Sequence, residues 1–191
     1  MDLMDAARLV ENSYKGSAHL PPIRLDISEG HVQAFLLTDN TLVIPGSNEL
    51  VDYTKSNLVT GRQKISWNSM GKAAGNAIWH KGFAGHASTI ANKLGSLRPT
   101  FIVGHSLGAA AAQILGCVYG VPAIGFASPM PRRGKTRLTH EGLVLNVVPT
   151  TIQSAGCRRN ISGFAAWATQ KSCTPRHQTR VRIIPCRITS S

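Results

Sequence analysis

Residues 104–108 read Gly-His-Ser-Leu-Gly and have the types and spacing that nucleophilic catalysis by a serine requires. They follow a β-branched and aromatic run at 100–103 and precede an alanine-rich segment. A serine between a strand and a helix sits in so tight a turn that small residues must flank it two positions away. The Ser106 hydroxyl would attack a carbonyl carbon, and the Leu107 backbone N–H would donate to the oxyanion. The alternative is a glycine-flanked turn whose serine caps the helix.

The segments around this motif predict alternating strands and helices. Apolar runs predict strands at 30–37, 41–44, 100–103, 122–126, 143–148 and 181–184. Apolar spacing of three to four residues predicts helices at 3–14 and 80–97, and the alanine-rich run predicts one at 109–119. The order strand, helix, strand indicates a parallel βαβ unit. We therefore expect an α/β fold with a mainly parallel central sheet, flanking helices and the serine turn after a central strand.

The composition indicates one globular domain followed by a segment of different character. The chain has 191 residues, 42% of them hydrophobic, which excludes a disordered chain. The net charge is +12, with fourteen basic and nine acidic residues in 1–141 but seven basic and no acidic residues in 142–191. Three of the four cysteines lie in that second stretch. We expect a domain at 1–148 and an atypical, irregular basic tail at 149–191.

Targeting and metal-binding patterns are weak in this sequence. The N-terminus is acidic and lacks a basic start followed by an apolar core, so we expect no secretory signal and a cytoplasmic protein. The apolar stretch 107–126 is interrupted by Gly116, Gly120 and Pro122, so we interpret it as a helix, a turn and a strand. The cysteines lack C-x-x-C spacing, so we expect no metal and no cofactor.

Five segments, in order along the chain, resemble the motifs of one protein family. The first is Leu-Val-Ile-Pro-Gly-Ser at 42–47, and the others lie at 52–58, 80–83, 104–112 and 126–129. Together they resemble the lipase class 3 family, the fungal-lipase-like branch of the α/β-hydrolases, over about residues 40–148. The resemblance is closest at 104–112. It implies an α/β-hydrolase fold in which 104–108 form the nucleophile elbow.

The resemblance also implies a reaction, which is the hydrolysis of acyl esters through an acyl-enzyme intermediate with Ser106 as nucleophile. It implies that Ser47 donates to the oxyanion hole beside the Leu107 N–H; a turn or cap serine is the alternative. The implied partners are a lipid or small ester substrate and a lipid interface, with no specific nucleic acid. Pro45 departs from the family, which usually has arginine there, so a local charge contact is lost or replaced.

The histidine and the acid that should follow the nucleophile do not match the family pattern. Glu141 is the only carboxylate after Ser106, and it precedes the strand predicted at 143–148, which the acid should follow. His177 is late enough in the chain to be the base, but its neighbours do not resemble the family's glycine-histidine. An exposed loop histidine is the alternative. The acid of the triad therefore has no candidate in this chain.

Two explanations of the tail stay open. Either the chain is a degenerate hydrolase, or its reading frame shifts near residue 148. Reading the tail's codons one base earlier permits Asp-Asp-x-Val-x-Arg-Leu-Pro and a later Gly-His, which the family would place there as acid loop and base segment. The cysteine- and arginine-rich composition agrees with a shifted frame.

Two other function classes and one structural question also stay open. The first class is a catalytically inactive hydrolase fold. The second is a basic binding module for nucleic acid or anionic surfaces, which the net charge favours and the aromatic content of 6% disfavours. The polar, glycine-rich residues 60–79 are either a flap over the site or a surface loop.

Overall fold

The computed structural model describes residues 1–46, 62–64, 78–132, 138–150 and 180–185. Contacts divide the chain into two compact units, Met1–Val148 with Ile183–Ser191 and Pro149–Arg182. The first unit carries the serine motif and the three α-helices of the described residues. Of the second unit, the structure describes residues 149–150 and 180–182.

The motif lies in the parallel part of a mixed sheet. The described helices are α1 (Leu3–Tyr14), α2 (Lys81–Leu94) and α3 (Leu107–Tyr119). The strands are β1 (Ile23–Glu29), β2 (Val32–Leu37), β3 (Thr41–Ile44), β4 (Arg62–Lys64), β5 (Ile78–His80), β6 (Phe101–His105), β7 (Ala123–Phe126), β8 (Val144–Thr150) and β9 (Arg180–Pro185). The main sheet has the order β1-β2-β3-β6-β7-β8-β9, and β4 pairs with β5 separately. Strands β1 to β3 pair antiparallel, whereas β3, β6, β7 and β8 are parallel neighbours.

Alternation along β6 separates the two faces of this sheet. Ile102 belongs to a core cluster that includes residues of α2 and α3, whereas Val103 belongs to a second cluster with residues of α1. Successive side chains of a strand point to opposite faces, so helices cover the parallel strands on both sides. His105 lies two residues beyond Val103 and shares the α1 face. The predicted α/β-hydrolase-like fold class is therefore confirmed.

Helix α3 is buried nearly all round, and β3 and β6 approach its first turn closely. Every residue from 107 to 118 is buried. A Cβ on Gly108 would lie under 3.0 Å from backbone atoms of Ile44 and Pro45. A Cβ on Gly104 would likewise lie under 3.0 Å from backbone atoms of Gly108. Both motif glycines are thus required by the close approach of one backbone to another.

Most predicted elements match the structure, and the differences have local causes. The helix predicted at 3–14 and the strand predicted at 41–44 have the predicted bounds. The helix predicted over 80–97 ends at Leu94 because Gly95 adopts a φ of +56° and stops it. The apolar stretch 107–126 folds as α3, a turn and β7, as predicted.

No helix in the described part of the chain is both long and apolar enough to cross a membrane.

Three strands are missing from the sequence prediction. Strand β1 has a period-two pattern, with Ile23, Leu25 and Ile27 separated by polar residues, which is a sufficient signal for a half-buried strand. Strands β4 and β5 lie at 62–64 and 78–80, at the two ends of the segment for which a flap and a loop are the alternatives. Residues 65–77 lie outside the described residues, so the flap stays a prediction.

Replacing Gly108 by alanine should lower the free energy of unfolding. The added Cβ would overlap the backbone of Ile44 and Pro45, which cannot rotate away as a side chain would. Overpacking of this kind costs about 1–3 kcal/mol. The matched control is Gly85→Ala in α2, where an added Cβ meets nothing within 4 Å. In chemical denaturation, the free energy of unfolding of the control should be about 1 kcal/mol higher than that of the parent, because alanine favours the helix more than glycine does. Equal stability of the two variants would contradict the proposed close approach.

Acid should weaken the fold partly through His86, a buried histidine of α2. Burial, and secondarily the nearby His31, lower its pKa from 6.5 to about 4. Neither ring nitrogen has a hydrogen-bond partner among the described residues. Between pH 6.5 and 4 the unfolded chain therefore binds the proton better, and stability falls as the pH falls.

The measurement is the free energy of unfolding at pH 7 and at pH 4.5, each from denaturant titration. One such histidine gives a slope of at most ~1.4 kcal/mol per pH unit. His86→Leu should reduce the slope without loss of stability at pH 7, because it removes two unpaired buried nitrogens. The control Ile90→Val should lower stability equally at both pH values, since valine carries no proton. An unchanged slope in His86→Leu would refute the argument.

Candidate active site

The carboxyl ends of four parallel strands form the edge at which Ser106 lies. Gly46 follows the end of β3 by two residues, Ser106 follows β6 directly, and Ala127 follows β7 directly. Strand β8 ends at Thr150. In open α/β sheets, ligands bind in the crevice outside the carboxyl ends of the strands. The motif therefore occupies the edge of the sheet at which chemistry is expected.

Ser106 has a backbone conformation that is costly for any residue other than glycine. Its φ is +53° and its ψ is −118°. The surrounding hydrogen bonds impose this geometry, because the Ser106 N–H donates to the Phe126 carbonyl at 2.9 Å. The Ser106 carbonyl accepts from the N–H groups of Ala109 and Ala110 at 3.1 and 3.2 Å. Strain held by its surroundings in this way is typical of functional positions.

The serine does not act as a helix cap. Ser106 occupies the position before α3, but its side chain makes no capping hydrogen bond. The capping alternative raised by the sequence is therefore wrong. The N–H groups of Leu107 and Gly108, at the start of α3, have no acceptor within the helix, and the positive end of the helix dipole lies there. Leu107, the first residue of α3, places its N–H beside the half-buried Ser106.

A hydrogen-bonded bridge on the α1 face joins the elbow to the end of β3. The Tyr14 hydroxyl lies 2.7 Å from His105 Nδ1, and the Gly46 N–H donates to the same hydroxyl at 2.7 Å. Burial lowers the pKa of His105 from 6.5 to about 4, so its ring is neutral at pH 7. Burial raises the pKa of Tyr14 to about 12, against the opposing hydrogen bond from Gly46. His105 therefore packs as a neutral hydrogen-bonded ring.

The loop after β7 is fastened to the elbow helix. Ala127 adopts a φ of +50°, and its N–H donates to the Val147 carbonyl of β8 at 2.8 Å. The Gln113 side-chain amide of α3 donates to the Ser128 hydroxyl, which in turn donates to the Pro129 carbonyl at 2.7 Å. The segment 126–129, one of those that resemble the lipase family, is thus ordered by contacts with α3 and β8.

Two of the four predicted site residues, Ser106 and Leu107, lie within the described residues. Ser106 and Leu107 are adjacent at the elbow, whereas Ser47 and His177 lie outside the described residues. Within the described ranges, no histidine or carboxylate forms a hydrogen bond with the Ser106 side chain. The arrangement therefore offers a nucleophile position and an N–H donor, with the base still a prediction.

Glu141 and His140 lie away from the serine, as the sequence indicates for Glu141. Glu141 begins a 3-10 turn before β8, at the amino end of that strand, and its carboxylate accepts from the Leu138 N–H at 3.1 Å. His140 Nδ1 lies 3.0 Å from the Cys117 carbonyl, near the C-terminal end of α3. Both contacts are structural. Neither residue can reach the edge at which Ser106 lies.

Tyr14 is the residue at the site that the sequence analysis missed. Its position in α1 is predicted correctly, but its role depends on contact with residues 32 and 91 positions further along the chain. A tyrosine at the end of an amphipathic helix carries no local signal for such a contact. Only the pairing of β3 with β6 brings Gly46 and His105 within reach of one hydroxyl.

Comparison with known proteins gives structural similarity alone. No family model and no curated protein matches the chain. Its structure is similar to Lip2 lipase from Yarrowia lipolytica, with 18% identity, a TM-score of 0.48, and coverage of 69% of this chain and 60% of that chain. It is also similar to Rhizomucor miehei lipase in complex with its propeptide, with 15% identity, a TM-score of 0.44, and coverage of 66% and 50%.

This chain covers 60% of the first lipase chain and 50% of the second. The parallel strands β3, β6, β7 and β8 carry a strained serine turn between β6 and α3. The fold of this chain is therefore α/β-hydrolase-like, with a mostly parallel mixed sheet, flanking helices and the serine turn after a central strand.

Proposed function

We propose that this chain is a serine hydrolase of carboxylic esters, of lipid or small-molecule type, that acts through an acyl-enzyme intermediate. Ser106 is the nucleophile. The observation that carries the proposal is the strained, uncapped conformation of Ser106 at the carboxyl edge of the sheet. Its hydroxyl is committed neither to the helix nor to any other hydrogen bond among the described residues. That is the condition a nucleophile needs.

The oxyanion hole in this proposal is formed by the Leu107 N–H and by Ser47. The Leu107 N–H has no acceptor within α3 and lies at the positive end of the helix dipole, where a developing negative charge is stabilised. Support for Ser47 comes from its neighbour, since a Cβ on Gly46 would lie 3.1 Å from Ser106 Cβ. The chain therefore passes directly beside the nucleophile one residue before Ser47. If Ser47 is instead a turn or cap serine, backbone N–H groups alone would donate to the oxyanion.

The reaction would proceed in two steps. A base takes the Ser106 proton while the oxygen attacks the ester carbonyl, and the alcohol leaves with that proton. Water then hydrolyses the acyl-enzyme with the same base. We propose His177 as the base of the chain as it stands. No carboxylate follows Glu141 in the sequence, so no acid after β8 can orient that histidine. Turnover should therefore be slow.

The absent acid also favours a second candidate, a hydrolase fold without activity. We propose that residues 1–148 form the hydrolase domain and that 149–191 are a basic tail, produced by degeneration in the first explanation and by a shifted frame in the second. Both explanations leave the elbow intact. They differ in the tail: only under the shifted-frame explanation does restoring the frame supply the acid loop and the base segment.

Ser106→Ala should abolish covalent labelling by a serine-directed fluorophosphonate and the hydrolysis of a short p-nitrophenyl ester. Alanine keeps the turn but removes the attacking oxygen. The control is Ser28→Ala, an exposed serine of β1 that should label as the parent does. The measurement is intact-protein mass after labelling, with peptide mapping of the adduct. An adduct that persists in Ser106→Ala would remove this serine from the proposal.

Restoring the frame after residue 148 should raise ester turnover by orders of magnitude. The restored tail would supply Asp-Asp-x-Val and a later Gly-His, and a missing orienting acid alone costs about 10⁴ in turnover. The measurement is the steady-state kcat and KM of the chain with its present tail and of the chain with the restored frame. Sequencing of the gene across codons 140–175 tests the frame directly. If the chain as it stands hydrolyses esters at ordinary enzyme rates and His177→Ala is inactive, the frame explanation is wrong.

A further inference from the structure

The Tyr14 hydroxyl is a group that the proposed reaction does not use, although it touches both sides of the nucleophile. It lies in the last turn of α1, on the face of the sheet opposite α2 and α3. One oxygen contacts the residue before Ser106 and the residue before Ser47. Those contacts are His105 Nδ1 and the Gly46 N–H, both at 2.7 Å. The rings of Tyr14 and His105 meet edge to face, with centroids 5.7 Å apart.

The chemistry of the partners sets the direction of these hydrogen bonds. A backbone N–H can only donate, so the tyrosine oxygen accepts from Gly46. The phenolic proton is then available to His105, whose neutral ring can accept through an unprotonated Nδ1. The ring would carry its own proton on Nε2. With the ring proton on Nε2, the direction is Gly46 N–H to Tyr14 oxygen, and Tyr14 O–H to His105 Nδ1.

Glycine at position 46 makes this arrangement sterically possible. A Cβ there would lie 2.6 Å from the Tyr14 oxygen and 3.0 Å from the His105 carbonyl oxygen. The end of β3 is therefore packed against the elbow without any intervening side chain. With this spacing, a small displacement of Gly46 would move the following residue relative to Ser106. A misplacement of about 1 Å in a reacting site can cost about 10²-fold in rate.

We propose that Tyr14 is a positioning residue that, through one hydroxyl, holds the end of β3 against the nucleophile elbow and so sets the width of the oxyanion hole. The proposal rests on the proposed ester hydrolysis for its effect on rate. The two hydrogen bonds of the Tyr14 hydroxyl can be tested whether or not the chain hydrolyses esters. Tyr14, 91 positions before His105 in the chain, would then help to set the geometry of the site, although it touches no substrate.

The test compares the parent with Tyr14→Phe, which keeps the ring and removes only the oxygen. The matched control is Tyr119→Phe, because the buried Tyr119 hydroxyl has no hydrogen-bond partner among the described residues. Two measurements on ¹⁵N-labelled protein are independent of activity. One is the chemical shift of His105 Nδ1, which reports the donor and the tautomer. The other is amide exchange at Gly46, measured where circular dichroism shows all three proteins folded.

The third measurement is the second-order rate constant of Ser106 labelling by a fluorophosphonate. In Tyr14→Phe we expect a shifted His105 Nδ1 resonance, faster Gly46 exchange and labelling slowed about 10- to 100-fold. Tyr119→Phe should match the parent in all three. His105 and Gly46 signals that do not change in Tyr14→Phe would overturn the bridge.

The remaining outcomes separate this inference from the proposed function. Changed His105 and Gly46 signals with an unchanged labelling rate would overturn the positioning role. A parent that does not label at all, but whose His105 and Gly46 respond to Tyr14→Phe, would support the bridge and refute ester hydrolysis by this chain. A labelling rate closer to the parent's in Tyr14→His than in Tyr14→Phe, with no such recovery in Tyr14→Leu, would further support a hydrogen-bonding role over ring packing.

Discussion

The close approach of α3 to the end of β3 is the contact on which the architecture of the site depends. No side chain separates Gly108 from the backbone of Ile44 and Pro45. This approach brings the start of the helix to the carboxyl edge of the sheet, and the turn from β6 must then be sharp. The strained conformation of Ser106 follows from it. The uncapped first turn of α3 then lies where an oxyanion would form.

Residues with local signals could be predicted from the sequence, and residues whose role depends on distant contacts could not. The glycines at 104 and 108 indicate a tight turn by type and spacing alone, and the structure gives each a backbone contact. The bounds of α1 and β3 follow from apolar periodicity. Strand β1 carried an equally clear pattern in Ile23, Leu25 and Ile27. Because that pattern is local, the sequence is sufficient to predict this strand too.

The bridge through Tyr14 shows where such prediction ends. The tyrosine, Gly46 and His105 are far apart in the chain, and no local pattern signals that they meet. Their meeting is fixed by sheet register, because Ile44 pairs with Gly104 across parallel β3 and β6. Register is a property of the assembled sheet and of the turns that join it. The base and the second oxyanion donor, His177 and Ser47, remain predictions because they fall outside the described residues.

Helix α3 also constrains how the chain can be made. A helix that is apolar on all sides has no face suited to water, so it needs cover on every side. Part of that cover is synthesised later, since a Cβ on Gly116 would meet the side chains of Ala123 and Val144. During synthesis, α3 is complete before the residues of β7 and β8 have been added. A nascent chain ending before Val144 would expose an alanine-rich surface, and exposed apolar surface favours chaperone binding and aggregation.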